Sequence, residues 1–197
     1  MIADCGAPLD RFSVHWALAE DGSCSLMGGS GSNVPLMIVV VMGVVGSGKT
    51  TVGELLAQQL GWRIADADDF HPPANIEKIR QGTPLNDDDR RPWLIRLSAF
   101  MQECSVRRCN LVLACSALKR GYRQELRVGS EVAFVYLKGP PDLISQRLRS
   151  RQGHFADGKI LASQLADLEE PEGATIVDIT QRPEEIVNEI RRALGVK

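Results

Sequence analysis

The sequence predicts a doubly wound α/β domain built on a five-stranded parallel sheet, and three observations carry that reading. Short apolar runs alternate with helical stretches from Met37 to the C-terminus. The runs lack polar alternation, as buried strands covered on both faces do. The first run leads into Gly43-Val44-Val45-Gly46-Ser47-Gly48-Lys49-Thr50, a glycine-rich loop that opens a helix.

Taken in order, the strand candidates are 37–42, 63–65, 110–114, 132–137 and 175–179. The helix candidates are 49–60, 74–81, 92–105, 119–127, 141–151, 159–168 and 183–194, with Pro141 and Pro183 suited to first turns. Residues 1–36 differ. Their stretch Gly28-Gly29-Ser30-Gly31-Ser32-Asn33 reads as a linker, so 1–36 is expected to be a flexible N-terminal extension, with Met27 and Met37 as candidate alternative starts. Residues 37–197 then form the domain, with a lid segment near 147–165.

The octapeptide carries the chemistry. Its glycines let the chain curl with N–H groups pointing inward, and the helix N-terminus adds positive potential, so the loop is a phosphate cradle. Lys49 is placed to reach β and γ phosphates, and the Thr50 hydroxyl to hold Mg²⁺. A nucleoside triphosphate is the expected ligand.

Asp66-Ala67-Asp68-Asp69-Phe70-His71 follows the second strand, at the sheet end where ligands of open parallel sheets bind. Phosphoryl transfer to an alcohol needs a carboxylate for the hydroxyl, and another often supports Mg²⁺. Weighed against a solvated acidic turn, this position favours function. In Leu85-Asn86-Asp87-Asp88-Asp89-Arg90-Arg91-Pro92-Trp93-Leu94, Asn86 or an Asp is expected to cap a helix, Arg90 to face a substrate anion, and Asp87 and Asp88 to be solvated.

After the third strand, where many nucleotide hydrolases place an acid, stand Cys115 and Ser116, which suits a small-metabolite kinase. Lys119, Arg123 and Arg127 recur at i, i+4 and i+8; a functional basic face and a plain surface stripe are equally good readings. Arg147, Arg149 and Arg151 lead to Gly153-His154-Phe155, an arginine-bearing segment suited to close over transferring phosphates.

Composition narrows the class. Net charge is −2; residues 1–36 carry one Arg against four acids (−3), leaving 22 basic and 21 acidic residues (+1) in the remainder, so no broad basic surface for nucleic acid is expected. The five cysteines form no C-x-x-C pair, which suits a reduced cytoplasmic protein, with Cys115 a small core residue. No apolar segment approaches the ~18 residues of a membrane span, and no signal peptide is evident.

Together these segments resemble the thermoresistant, P-loop type gluconokinase family, related in fold to shikimate kinase and adenylate kinase. The resemblance rests on residues 43–50, on D-A-D-x-x-H-P-x-x-N from Asp66 to Asn75, and on K-I-x-x-G-x-P-L-x-D-x-D-R-x-P-W-L from Lys78 to Leu94. It continues in C-S-A-L-K-x-x-Y-R from Cys115 to Arg123, Y-L-x-G at 136–139 and R-x-G-H-F at 151–155. The chain departs from the family pattern at Val45, Ile79, Ala156-Asp157-Gly158 and Leu165, and residues 1–36 have no counterpart.

What the resemblance implies is a P-loop kinase of the nucleoside-monophosphate and shikimate kinase type. It would phosphorylate D-gluconate at the 6-hydroxyl with ATP and Mg²⁺, in the cytoplasm, feeding the pentose phosphate pathway. Residues 43–50, Arg147 and Arg151 would hold the nucleotide, and Thr50 and Asp66 the metal. Lys49, Asp68 and Arg151 would be catalytic; Asp68, His71, Arg90, Ser116, Lys119, Arg123 and His154 would meet the acceptor. Two alternatives stay open: another small acceptor such as shikimate, a nucleoside monophosphate or another aldonate, and a nucleotide-dependent switch, which the absence of an N-K-x-D motif weakens. Oligomeric state stays open too, a homodimer included.

Overall fold

A computed structural model describes residues 36–150 and 157–197. The expected extension, save Leu36, lies outside them, as do Arg151 and His154. Strands β1 (Ile38–Met42), β2 (Arg63–Asp66), β3 (Leu111–Cys115), β4 (Val132–Lys138) and β5 (Thr175–Asp178) form one sheet in the order β2-β3-β1-β4-β5. Every pairing is parallel, which bears out the expected five-stranded sheet.

The helices are α1 (Lys49–Leu60), α2 (Pro73–Arg80), α3 (Asp87–Val106), α4 (Arg120–Glu125), α5 (Pro141–Ser150), α6 (Asp157–Asp167) and α7 (Pro183–Leu194). They cover both faces of the sheet, and β1 shows why its sequence is apolar throughout. Ile38, Val40 and Met42 face a core shared with Trp93, Leu94, Leu97 and Met101 of α3. Val39 and Val41 face the opposite core, shared with Val52 and Leu56 of α1, Ile144 and Leu148 of α5, and Ile186, Val187 and Ile190 of α7. A strand buried on two sides has no place for the polar half of an alternating pattern.

Two helices differ from expectation. α3 begins five residues before Pro92, at the cap expected at Asn86: the Asn86 side chain accepts from Asp89 N–H at 2.8 Å, and Asp89 accepts from Asn86 N–H at 3.2 Å, a reciprocal capping box. Pro92 then sits inside the helix on an exposed position, where the missing N–H removes one bond of the ladder. α4 is only six residues long, so Lys119 precedes it as the N-cap and Arg127 follows it, lying over the Phe134 ring at 5.2 Å. The predicted basic stripe does not exist as one helix face.

Among the described residues, no helix is long and apolar enough to cross a membrane.

Candidate active site

The site forms at the C-terminal ends of β1, β2 and β3. β1 runs into the glycine-rich loop, where the chain needs conformations that side chains resist. Gly48 caps α1 at φ 98°, and Gly46 lies at φ 79° with a hypothetical Cβ only 2.8 Å from the Leu148 side chain. No side chain caps α1, and its first turn carries no acid, so the N-terminal N–H groups and helix dipole are left to an anion. The Ser47 hydroxyl is buried and makes no hydrogen bond among the described residues. An orphaned hydroxyl beside uncapped amides is the chemistry of a phosphate cradle. The Lys49 ammonium donates to the Val44 carbonyl at 3.1 Å, across the same loop, and the Val45 N–H donates to Gln164 Oε1 of α6 at 2.6 Å. Ser116, at the end of β3, accepts at its backbone oxygen from the Gly43 N–H.

Asp66 ends β2 and uses its two oxygens separately. Oδ2 accepts from the Thr50 hydroxyl at 2.9 Å; Oδ1 accepts from the Asp68 N–H at 3.1 Å and caps the 3₁₀ turn Ala67–Phe70. A hydroxyl and a carboxylate side by side at the head of a phosphate loop are hard oxygen donors that fit Mg²⁺, which takes one or two protein oxygens and fills its shell with phosphate and water.

Asp68 lies beside this pair. Enclosure in the cleft raises its carboxyl above the ordinary carboxylate value, the Lys49 ammonium pulls it down, and Asp66 and Asp69 push it up. Its side chain is 80% exposed, so the carboxyl is reachable by a ligand. His71 Nε2 stands 4.0 Å from Asp68 Oδ1.

His71 itself is buried and stacked on Trp93, ring centroids 4.8 Å apart. Burial, reinforced by the Arg90 charge, lowers its pKa to about 4, so the ring is neutral near pH 7. Its tautomer follows from its neighbours. The Asn75 amide nitrogen donates to the Asp89 carbonyl at 2.7 Å, which fixes the amide's orientation, and the same nitrogen faces His71 Nδ1 at 3.3 Å. Nδ1 is therefore the acceptor, and Nε2–H points toward Asp68. Trp93 anchors the turn as well, donating to the Ala67 carbonyl at 2.7 Å.

A second group gathers around Arg90, whose charge also reaches His71. Arg90 of α3 donates to the Tyr122 hydroxyl at 3.0 Å and pairs with Asp167, the last residue of α6, at 2.9 Å. Lys119 pairs with Asp87 at 2.7 Å and with Asp167 at 3.7 Å, and the Tyr122 hydroxyl donates to Asp87. Asp87 is exposed, as expected, and is partnered as well: hydrogen bonds from Lys119 and Tyr122 hold its carboxyl below the usual value.

Arg123 does not join this group. It is buried, and it donates to the carbonyls of Ala117 at 3.0 Å and Leu118 at 2.7 Å. Ala117 sits at φ 43°, a left-handed conformation that costs an L-residue about 1 kcal/mol, and the guanidinium braces that bend. The residue expected at the acceptor is thus bonded into the loop that shapes the acceptor side. Arg147 likewise donates to the Ile179 carbonyl at 2.8 Å. Asn75, Trp93, Tyr122, Gln164 and Asp167 had no assigned role in the sequence. His71 and Asn75 did carry a signal, a four-residue spacing around Pro72-Pro73; Gln164 and Asp167 carried none, because their partners are distant in sequence.

An uncapped phosphate loop at the end of β1, with carboxylates at the end of β2, defines a P-loop kinase. The family model described as shikimate kinase matches residues 45–194. The chain is 46% identical over 160 residues to the thermoresistant gluconokinase of Escherichia coli K12, covering 76% of this chain and 89% of that one. It is 45% identical over 173 residues to a probable gluconokinase of Xenopus tropicalis, covering 78% of this chain and 91% of that one. The crystal structure of a gluconokinase from Sinorhizobium meliloti 1021 superposes with a TM-score of 0.74 at 41% identity, over 81% of this chain and 92% of that one. The chain belongs to the gluconokinase family.

Proposed function

We propose that this protein transfers the γ-phosphoryl group of ATP to the 6-hydroxyl of D-gluconate. The observation that carries the reading is the linkage of Thr50, Asp66 and Asp68 at the strand ends, which sets a metal-supporting pair beside a carboxylate that a ligand can reach.

In this reading the N–H groups of the 43–50 loop other than those of Gly43, Val45 and Ser47, with the Lys49 ammonium, would hold the β and γ phosphates, and Thr50 and Asp66 would hold Mg²⁺. Bound Mg²⁺ would neutralise charge on the phosphate oxygens. Asp68 takes the proton from the acceptor hydroxyl. The hydroxyl oxygen forms a bond to the γ-phosphorus, the bond from that phosphorus to the bridging oxygen breaks, and ADP leaves with the electron pair. A raised pKa makes the Asp68 carboxylate a better proton acceptor than an ordinary aspartate. His71, buried and neutral, orients Asp68 rather than meeting the sugar. Arg90 and Lys119 receive the acceptor carboxylate, with Ser116 at the same wall; Arg151 and His154 complete the phosphate and acceptor sides from 147–165. The domain is residues 37–197, acting in the cytoplasm.

The match to the shikimate kinase model keeps a second acceptor in play. A coupled assay of ADP release with gluconate, shikimate, AMP and glucose tests both. Gluconate is expected to give much the highest kcat/KM; equal turnover of glucose removes the carboxylate-reading pocket, and a preference for shikimate replaces the acceptor.

A further inference from the structure

The two cations read as facing the acceptor are already ion-paired within the protein. Arg90 and Lys119 contribute two positive charges, and Asp87 and Asp167 contribute two negative ones within 4.0 Å of them. An incoming carboxylate therefore meets a charge-neutral cluster, and it gains the full attraction of both cations by displacing one of the acids.

The two acids are not equivalent. Asp87 belongs to α3, three residues before Arg90, and takes a hydrogen bond from the Tyr122 hydroxyl; it is part of the wall that carries the cation. Asp167 comes from α6, within 4.0 Å of both cations but on a different helix from either. The same helix sends Gln164 to the Val45 N–H of the phosphate loop at 2.6 Å. Three residues apart on one helix, an amide oxygen sits on an amide of the phosphate cradle and a carboxylate sits on the acceptor cations.

We propose that Asp167 occupies the place of the acceptor's carboxylate, and that gluconate binds by exchanging its own carboxylate for Asp167 on Arg90 and Lys119. Asp167 thereby sets which acceptors enter. A neutral sugar offers no anion to take over the two cations, so Asp167 stays in place. This rests on the reading of Arg90 and Lys119 as the carboxylate partners given above.

The experiment is steady-state kinetics of the full chain with gluconate as the varied substrate, on Asp167→Asn and on Lys119→Met, with melting temperatures recorded. Removing the internal rival is expected to lower the gluconate KM of Asp167→Asn by up to about fivefold, the worth of a partly exposed ion pair. Lys119→Met is expected to raise it. A purely structural Asp167 would change the melting temperature without lowering the KM. An unchanged or raised KM in Asp167→Asn, alongside a raised KM in Lys119→Met, overturns the exchange while leaving the carboxylate partners standing. An unchanged KM in Lys119→Met overturns those partners and the exchange with them. If the Asn variant does not fold, Asp167→Ser and calorimetric titration with gluconate separate the same outcomes.

Discussion

Replacing His71 by Gln should flatten the pH dependence of stability between pH 7 and pH 5. The folded-state pKa of His71 is about 4, against 6.5 for the free side chain. A depressed histidine pKa means that the unfolded chain takes up the proton first. Stability contributed by the neutral ring is full above 6.5, falls as pH drops below that value, and is wholly lost once pH passes about 4. The full difference amounts to about 3 kcal/mol, of which about 2 kcal/mol appears between pH 7 and pH 5. The side chain is only 6% exposed, so little of this is screened by water. Urea unfolding of both proteins at the two pH values measures it. The wild type should lose about 2 kcal/mol more than the variant on going to pH 5, whatever the variant loses at both values through its missing stack on Trp93. Carboxylates held low in the fold, such as Asp87 and Asp89, act at lower pH and in both proteins alike. Equal losses would refute the neutral, enclosed ring, and with it the tautomer that aims Nε2–H at Asp68.

Lys49→Met should cost on the order of 10²–10³ in kcat while the protein still melts cooperatively, and near wild-type turnover would remove Lys49 from the phosphate site. Asp68→Asn should lower kcat far more than it weakens ATP binding; a collapse of ATP affinity with kcat intact at saturation would make Asp68 a nucleotide or metal residue. In the wild type, the acid limb of kcat/KM for gluconate should lie above the 3.8 of an ordinary aspartate, since Asp68 must be ionised to act and its pKa in the free protein is raised. Arg123→Met should destabilise the protein by about 2–3 kcal/mol, because it strips a charged donor from two carbonyls. Unchanged stability with a raised gluconate KM would return Arg123 to the acceptor.

The bounds of α1 and α7, Lys49–Leu60 and Pro183–Leu194, match the sequence reading. Both have local punctuation: a glycine run before one, Arg182-Pro183 before the other, and a left-handed glycine at each C-cap. The start of α3 carried two signals, Asn86 as a cap and Pro92 as a first-turn residue, and the capping box sets it at Asp87. The phosphate loop was legible because its chemistry is encoded in consecutive residues. The cations were legible as residue types, and their partners were not. Arg123 turns inward because Ala117 bends the chain to φ 43°, and Arg90 meets Asp167 across a sequence separation of 77 residues. No periodicity reports contacts of that kind.

The sheet order bears on Asp66, the acid proposed to support the metal, which comes from β2. β3 lies between β1 and β2, so a residue at the end of β2 must reach across the end of β3 to meet Thr50. The β3 residue paired with Asp66 is Ala114, small enough to leave that path open, and the next residue is Cys115. Cys115 is fully buried, and its thiol is pushed up to about 12, first by loss of hydration and then by Asp68 and Asp66, with Lys49 opposing. It is therefore neutral at any working pH. An aspartate at the same position would bury a third carboxylate beside Asp66 and Asp68, with the Lys49 charge shared among all three, and like charges so placed drive protons onto one another. In the proposed mechanism an apolar, uncharged end to β3 leaves Asp66 for the metal and Asp68 for the acceptor proton, and that division of labour would rest on a thiol that does nothing but stay uncharged.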